Sequence, residues 1–560
     1  MTKKTGPGRR WFVAGIIILI LVAVGIGGWN YFKYRLIKHK VSNLLYKNTN
    51  GLYTVEYDSL SVDEVAGNLS VTHLRLIPDT AKYRELYDNH QNAPSLLVAV
   101  TIPLLRISGV KTPRAVLNRE IEGGRIAISN ADIVIYHARS RSDSALKDTT
   151  KNPSLQETLL QLLNNLHHIK ADTVQVDNTS LSYVDFIDDE QRVKGAAFSV
   201  HLYDILIDSA SVADTGRILF ARQVDANLHQ LVINDKKGFY HYTADTIGFS
   251  SAGHSLVIKD FRVVPLHGED GMMKASGTQT DRFDFHCGEL SFKHLDLPQL
   301  MQGVIDADTL LITRGRFNIY RDLSYPRAGK SMIGRFPHQS LMKLAVPYRL
   351  QKVVATDAFI EYKERNPRSD SAGRVQFYHS TVVISRLTNI DSLLKKDNNC
   401  TVNFDTKLLN MSSLTSRIVL QLKDTAGRFT VKASVSGFDA TRLNTLLRPM
   451  ALAQADKGQI KRLDFELEGN NYTSHGKLVF LYEGLKVSVL KKDEQEKKLK
   501  EKKLVSMIAN LVVKDANPGK KDKGPREATI DYKRITDRSF FNLIWKSVLQ
   551  GVKISLGVEK

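Results

Sequence analysis

A chain of 560 residues with two cysteines is not a disulfide-built scaffold. Cys287 and Cys400 lie far apart and form no C-x-x-C pair, which excludes the common redox and zinc patterns. The spacing leaves open whether they pair in an oxidising compartment or pack as two thiols. Fifteen prolines, and 35 glycines without a three-residue period, exclude a collagenous chain. An apolar fraction of 42% excludes wholesale disorder.

Negative charge is scarce at the two ends. Residues 1–50 hold nine Lys or Arg and no Asp or Glu, and residues 491–560 hold eighteen against ten. These ends account for most of the net charge of +20, so the long middle is nearly neutral. A nucleic-acid reader needs its basic stripe on the folded body, and none is present there. Basic ends suit anionic lipid head groups, and they serve solubility and topology equally well.

Signatures of chemistry are missing too. AGKS at 328–331 fails as a phosphate loop because Ser324 stands where the first glycine belongs. GFSSAG at 248–253 has one Ser too many for a nucleophile elbow. His167-His168 has no H-E-x-x-H context, and Asp306 and Asp308 lack the Gly and Glu of a calcium loop. No catalytic residue, metal site or cofactor is expected, and the chain is not read as an enzyme.

Long apolar runs are absent with one exception. Residues 11–29, WFVAGIIILILVAVGIGGW, carry no charge. Nineteen residues at about 1.5 Å each span roughly 28 Å, close to a bilayer core. Trp11 and Trp29 border the run, where indoles favour the membrane interface. The expectation is an uncleaved transmembrane helix; a cleaved signal peptide would usually have a shorter apolar core. A ten-residue head before it and a long body after it predict a cytosolic N-terminus and an exported body.

What the body has is alternation. RFTVKASVS sets Phe429, Val431, Ala433 and Val435 against Thr430, Lys432, Ser434 and Ser436. RLDFELE sets Leu463, Phe465 and Leu467 against Asp464, Glu466 and Glu468. FSVHLYDILI, RIVLQLK and KLVFLYEGLKVSVL behave alike, as strands with one apolar and one wet face do. Helical patterns are few: 153–166, a short one at 441–447, and the two ends.

The strands also repeat. Residues 51–78 lie over 238–265 without a gap, sharing Gly51/Gly238, Tyr53/Tyr240, Asp58/Asp245, Leu69/Leu256, Arg75/Arg262 and Pro78/Pro265. ISNADIVIY (128–136) lies over ITRGRFNIY (312–320) at nearly the same offset, each read as strand, short polar turn, strand; VATDAFIEY (354–362) is related. A duplicated unit of roughly 85 residues follows, stacked because one unit cannot bury its apolar face alone. In VTHLRLIP and IKDFRVVP, Leu74, Leu76, Phe261 and Val263 share the apolar face while Arg75 and Arg262 point to water. Alternation does not decide between an open trough and a sandwich filled by its own side chains.

At the far end, KKDEQEKKLKEKK (491–503) reads as a charged spacer and NPGKKDKGPR (517–526) as a loop. DRSFFNLIWKSVLQG then predicts a helix capped by Asp537 and stopped by Gly551. Phe540, Phe541, Ile544, Trp545, Val548 and Leu549 are placed on one face, with Asn542, Lys546, Ser547 and Gln550 on the other. Phe540, Phe541 and Trp545 suit a membrane interface or a partner's groove, and equally a cap with its apolar face inward.

The anchor followed by YFKYRLIKHKVSNLL, then VTHLRLIPD, VTIPLLRISGVKTPRAVLN, RIAISNADIVIYHA and the late stretch from GRFTVKASVSGFDATRLNTLL to LYEGLKV, resemble the AsmA-like proteins of bacterial envelopes, relatives of TamB and of bridge-like lipid-transfer proteins. The resemblance implies a mainly β chain. It would be an elongated, repetitive antiparallel sheet bent into an apolar groove, with an N-terminal transmembrane helix, few short helices and a C-terminal amphipathic helix. The domains read as a cytosolic tag (1–10), an anchor (11–29), a first β-groove unit (30–150), a connecting helix and strands (151–237), a second unit (238–330, repeating 51–136), a closing section (331–490), a charged spacer (491–530) and the helix (531–560). Groove lining would fall on Leu74, Leu76, Phe261, Val263, Phe429, Val431, Val435, Leu463, Phe465 and Leu467. The implied partners are phospholipid chains, the inner membrane through residues 11–29, and an outer-membrane or protein partner through residues 537–557. The implied role is lipid transport between membranes with the body in the periplasm; the alternatives are outer-membrane protein assembly or a structural envelope scaffold.

Overall fold

The computed structural model describes residues 51–559 except 64, 89–95, 111–119, 138–167, 186–189, 209–210, 212–213, 215, 219, 236, 328, 330, 370, 493–498 and 502–513. The segment 11–29, with Trp11 and Trp29, and the helical pattern at 153–166 lie outside the described residues. Among the described residues no helix is long and apolar enough to cross a membrane.

The protein is mainly β. Its strands are β1 (Tyr53–Glu56), β2 (Ser59–Asp63), β3 (Asn68–Pro78), β4 (Leu96–Ser108), β5 (Glu120–Ser129), β6 (Asp132–His137), β7 (His168–Asp185), β8 (Glu190–Ile207), β9 (Ala221–Asn234), β10 (Tyr240–Ser250), β11 (Ser255–Pro265) and β12 (Arg282–Leu295). They continue as β13 (Ile305–Thr313), β14 (Arg316–Asp322), β15 (Tyr348–Arg365), β16 (Ala372–Thr388), β17 (Asn399–Leu408), β18 (Ser412–Gln421), β19 (Phe429–Asp439), β20 (Ala453–Gly469), β21 (Thr473–Lys492), β22 (Leu499–Glu501) and β23 (Glu527–Lys533). Helices are short apart from the last: α1 (Thr80–Asp88), α2 (Glu269–Ser276), α3 (Leu297–Met301), α4 (Pro337–Leu341), α5 (Asp391–Leu394), α6 (Asn444–Ala451) and α7 (Phe540–Ser555). Two compact units result, Met1–Gly238 with Tyr242–Lys259 and Phe239–His241 with Asp260–Lys560.

The expected all-antiparallel sheet is corrected to a mixed one. In the first unit β5 and β6 both pair antiparallel with β4 and parallel with β7. In the second, β13 and β14 pair antiparallel with β12 and parallel with β15. The polar residues between β5 and β6 are therefore a kink in one continuing strand, not a reversal. Asn130 takes the left-handed conformation there (φ 57°), and Arg314 does so between β13 and β14 (φ 53°).

Backbone features recur, most of them at positions matched by the sequence alignment. Left-handed residues recur in step: Gly51 and Gly238 (φ 78° and 67°), Gly67 and His254 (65° and 45°), His73 and Asp260 (49° and 53°), Asn178 and Asp357 (both 50°). Such conformations are uncommon for residues with a Cβ, so their recurrence at matched positions is hard to obtain by drift. Tyr53 Oη accepts from Val98 N at 3.0 Å, and Tyr240 Oη accepts from Phe283 N at 3.2 Å. Tyr83 on α1 packs with Leu52, Tyr53 and Tyr136; Met272 and Met273 on α2 pack with Phe239, Tyr240 and Tyr320. The parallel step and the following antiparallel partner recur as well, as β7 with β8 and β15 with β16.

The end of the chain departs from its expectation in three respects. Residues 527–530, expected in the spacer, and 531–533, expected in the helical segment, are β23 and pair with β21. The cap of α7 is Ser539, whose side chain accepts from Asn542 N, and the helix runs past Gly551 to Ser555. Its buried stripe is Phe540, Leu543, Ser547, Gly551 and Ser555, while Phe541 is 64% exposed. Ser547 was placed on the wet face because serine is polar. Here its hydroxyl lies 2.5 Å from that of Ser474 on β21, which satisfies both groups in a buried contact.

Small residues let α7 sit low on the sheet. A Cβ on Gly551 would meet Ile530 Cδ1 and Leu478 Cβ at 3.0 Å each. Gly551→Val is expected to destabilise helix docking by about 1–3 kcal/mol through overpacking. Hydrogen exchange across residues 540–555 checks this, with Gly484→Val, a position with nothing within 4 Å but a left-handed backbone, as a reference for backbone strain without crowding.

Candidate functional site: an apolar sheet face in the second unit

In the second unit the ladder registers carry apolar side chains from strand to strand. One rung runs Phe292–Leu310–Val353–Ile384–Val402–Ile418 and continues through Val431 and Leu467. The next runs Leu290–Ile312–Ala355–Val382–Phe404 and continues through Ser416, Ala433 and Phe465 to Leu478. Directly paired residues point to the same side of a sheet, so the rungs make one continuous apolar face. From β13 to β16 the other side carries Leu311, Val354 and Val383 in register, whereas from β17 to β21 it is polar: Asn403, Arg417, Lys432, Glu466 and Lys477 follow one another in register. There Lys432 pairs with Glu466 and Lys477 with Glu527, each at 2.7 Å. A shallow hollow of about 640 Å³ on this polar side is lined by matched charges of both signs.

Among the described residues, α7 covers the apolar face at one end. Over β18–β23 it forms a core with α7, in which Phe429 (2%), Val431 (2%), Leu467 (0%), Leu478 (0%), Phe540 (4%) and Leu543 (1%) are sealed from water. Between β12 and β18 the same rungs are mostly half-buried, at Phe292, Leu310, Ile384, Val402, Phe404 and Ile418, while Val353 and Ala355 on β15 are buried at 6% and 7%.

The connection from β14 to β15 meets the covered end. Because those strands are parallel, the chain must return along their length. Residues 332–343 do so beside α7. Phe336 is fully buried, with its ring centroid 5.0 Å from Phe540 and 5.9 Å from Phe429. Arg534 stacks on Phe336 at 4.4 Å and donates to the carbonyls of Asn471, Met332 and Arg538. Burial lowers its pKa, since carbonyl dipoles and a ring face replace a carboxylate partner.

The residues expected to line a groove separate into three groups. Leu74 and Leu76, at 2% and 8% exposure, belong to a filled core of the first unit that runs from Leu69 to Val224. Phe429, Val431 and Leu467 are buried in the core with α7, and Val435 is buried further along β19. Phe261, Val263, Leu463 and Phe465 are half-buried. Of the expected interface residues, Phe540 is turned into the core, Phe541 faces out, and Trp545 is half-buried one turn along from Phe541. The accessible face lies mostly on residues the sequence reading passed over. Val402 and Phe404 alternate with Thr401, Asn403 and Asp405 and were readable; Val382-Val383-Ile384 has no alternation to read.

Cys287 and Cys400 are two separate buried thiols. Burial raises both, Cys400 to about 11, so neither is poised as a nucleophile. Among the described residues no group of three His, Cys, Asp or Glu could hold a metal ion. No family model matches the chain, and no curated protein matches it.

His338 on α4 is 1% exposed, and neither ring nitrogen has a hydrogen-bond partner. Burial holds its pKa down at about 4, opposed in part by Asp424. The fold thus favours the neutral ring. Its contribution is complete above the unfolded value near 6.5 and is lost as pH falls towards 4, by up to roughly 3 kcal/mol. Denaturant unfolding at pH 7 and pH 4.5 should show that loss, and His338→Leu should flatten that part of the pH dependence.

Proposed function

We propose that this protein holds lipid acyl chains against the apolar face of its second unit and takes part in moving phospholipid between membranes of a bacterial envelope. The observation that carries the reading is the run of mostly half-buried apolar rungs from β12 to β18, backed by polar residues over β17 and β18. Acyl chains fit such a surface because it is long, has no polar groups to satisfy, and rewards contact by about 25 cal/mol per Å² of apolar area buried. Head groups stay in water at the rim. Movement would be passive sliding, since no step along a uniform rung costs an unpaired polar group. The resemblance to AsmA-like proteins supports the same role. With it come the anchor at 11–29, a cytosolic N-terminus and a periplasmic body. The filled core around Leu74 and Leu76 supports a reading in which lipid is held by the second unit rather than along the whole chain.

Photocrosslinking from Phe404 and from Arg417, on opposite faces, tests the reading in the full-length protein. Phospholipid adducts are expected at Phe404 and not at Arg417. Val402→Asp with Ile418→Asp should reduce co-extracted phospholipid at least ~5-fold, since each places a charge where an acyl chain would lie. Equal adducts from both faces, or a protein adduct in place of lipid at Phe404, would sink the proposal; the latter is what an assembly factor predicts.

A further inference from the structure

One end of the second unit gathers exposed apolar side chains at its strand tips. β12, β16, β18, β20 and β23 finish there, and β13, β15, β17, β19 and β21 begin there. Met301 at 49%, Leu344 at 52% and Val346 at 40% exposure lie on neighbouring turns, joined where Ile305 N donates to Pro347 O at 3.0 Å. Tyr472 at 55% and Phe541 at 64% project from the same end, beside the start of α7.

These side chains are held outward by the backbone. Asn389 donates its amide to the carbonyls of Leu344 and Val346 at 3.2 and 3.0 Å, and accepts from Tyr348 N at 2.8 Å. The polar atoms of the turn are therefore satisfied internally, and its side chains are left for something outside.

Charge at this end is unbalanced. Asp391 pairs with Lys423, Asp397 with Arg386 and Asp424 with Arg428. Lys395 and Lys396 are exposed and have no ion pair among the described residues, and Lys343 donates only to the carbonyl of Gly334. Among the described residues three of the acids are paired and the exposed Asp296 and Glu468 are not, while Lys395, Lys396 and Lys343 are left over.

We propose that this end of the second unit docks on the surface of an anionic lipid bilayer, with Leu344, Val346 and Met301 entering the head-group layer and Lys395 and Lys396 meeting phosphates. Single apolar residues on separate tips suit a fluid layer better than a shaped protein partner, and surplus lysines suit its charge. Docking goes beyond lipid holding and does not require it.

The test uses the full-length protein in neutral nanodiscs, captured by flotation on vesicles of phosphatidylcholine and phosphatidylglycerol in equal parts. Leu344→Asp with Val346→Asp should reduce capture at least ~tenfold, because both positions are already exposed and the fold is left intact. Lys395→Glu with Lys396→Glu should reduce capture on these vesicles and leave capture on pure phosphatidylcholine unchanged. Val264→Asp with Leu266→Asp, equally exposed at the opposite ends of their strands, should leave capture unchanged. Absence of capture by the unaltered protein, unchanged capture by the tip variants, as expected if the tips meet a protein, or an equal loss in the Val264/Leu266 control overturns the proposal. Lipid co-extracted with each variant is measured in parallel: capture lost with bound lipid retained separates docking from holding, and the reverse result defeats holding alone.

Discussion

Ladder register is the constraint on which everything else in this protein depends. Side chains alternate with a period of two, so a slip of one residue in any strand would move its whole apolar set to the wet face. Val402 lies beside Ile384 and Ile418 because β17 pairs with β18 without a shift and with β16 in one register from Thr381 to Ser385. The long strands also kink, and a kink threatens register. The left-handed residues at Asn130, Asn178, Arg314 and Asp357 absorb that bend. They occur on adjacent strands at paired positions, so neighbouring strands bend together and their alternation stays in phase. Polar side chains at these points add cross-strand contacts: Asn178 donates to Asn130, and His379 lies 2.8 Å from Asp357.

A continuous apolar face would be a hazard if nothing limited it. The second unit limits it at one end by layering. Helix α7 settles onto β21 and β23 through Ser547, Gly551 and Ser555, and the β14–β15 connection adds Phe336 beneath Arg534. Both devices follow from simple causes. Small residues shorten the distance between helix and sheet, and a parallel strand pair obliges the chain to travel back along the strands. The outcome is one surface in two states, sealed under α7 and mostly half-buried from β12 to β18.

Much of the fold was legible from residues. Alternation in RFTVKASVS, RLDFELE and RIVLQLK marks β19, β20 and β18, and the offset between VTHLRLIP and IKDFRVVP marks β3 and β11 as equivalent. The kinks were taken for turns, because Asn130-Ala131 and Arg314-Gly315 are residues that also build reversals. A strand that bends and continues uses the same local chemistry, and only the pairing partners distinguish the two. The face of α7 was misassigned for a related reason. Helical periodicity sorts residues by polarity, but close packing against a sheet selects by size, and serine and glycine win there.

The sequence by itself determined the class of structure, its repetition and the polarity of its strand faces, because those properties depend on period and local backbone preference. Tertiary structure alone decided which apolar residues became core and which stayed accessible. Leu74 and Val402 are equivalent in pattern, each an apolar residue between polar neighbours, yet one is 2% exposed within a filled core and the other half-buried on an open face. Burial is a property of what is packed above a side chain, and residues far away in sequence supply that layer. VTHLRLIP specifies which way Leu74 points, but what it meets there is set by the strands from β4 to β9.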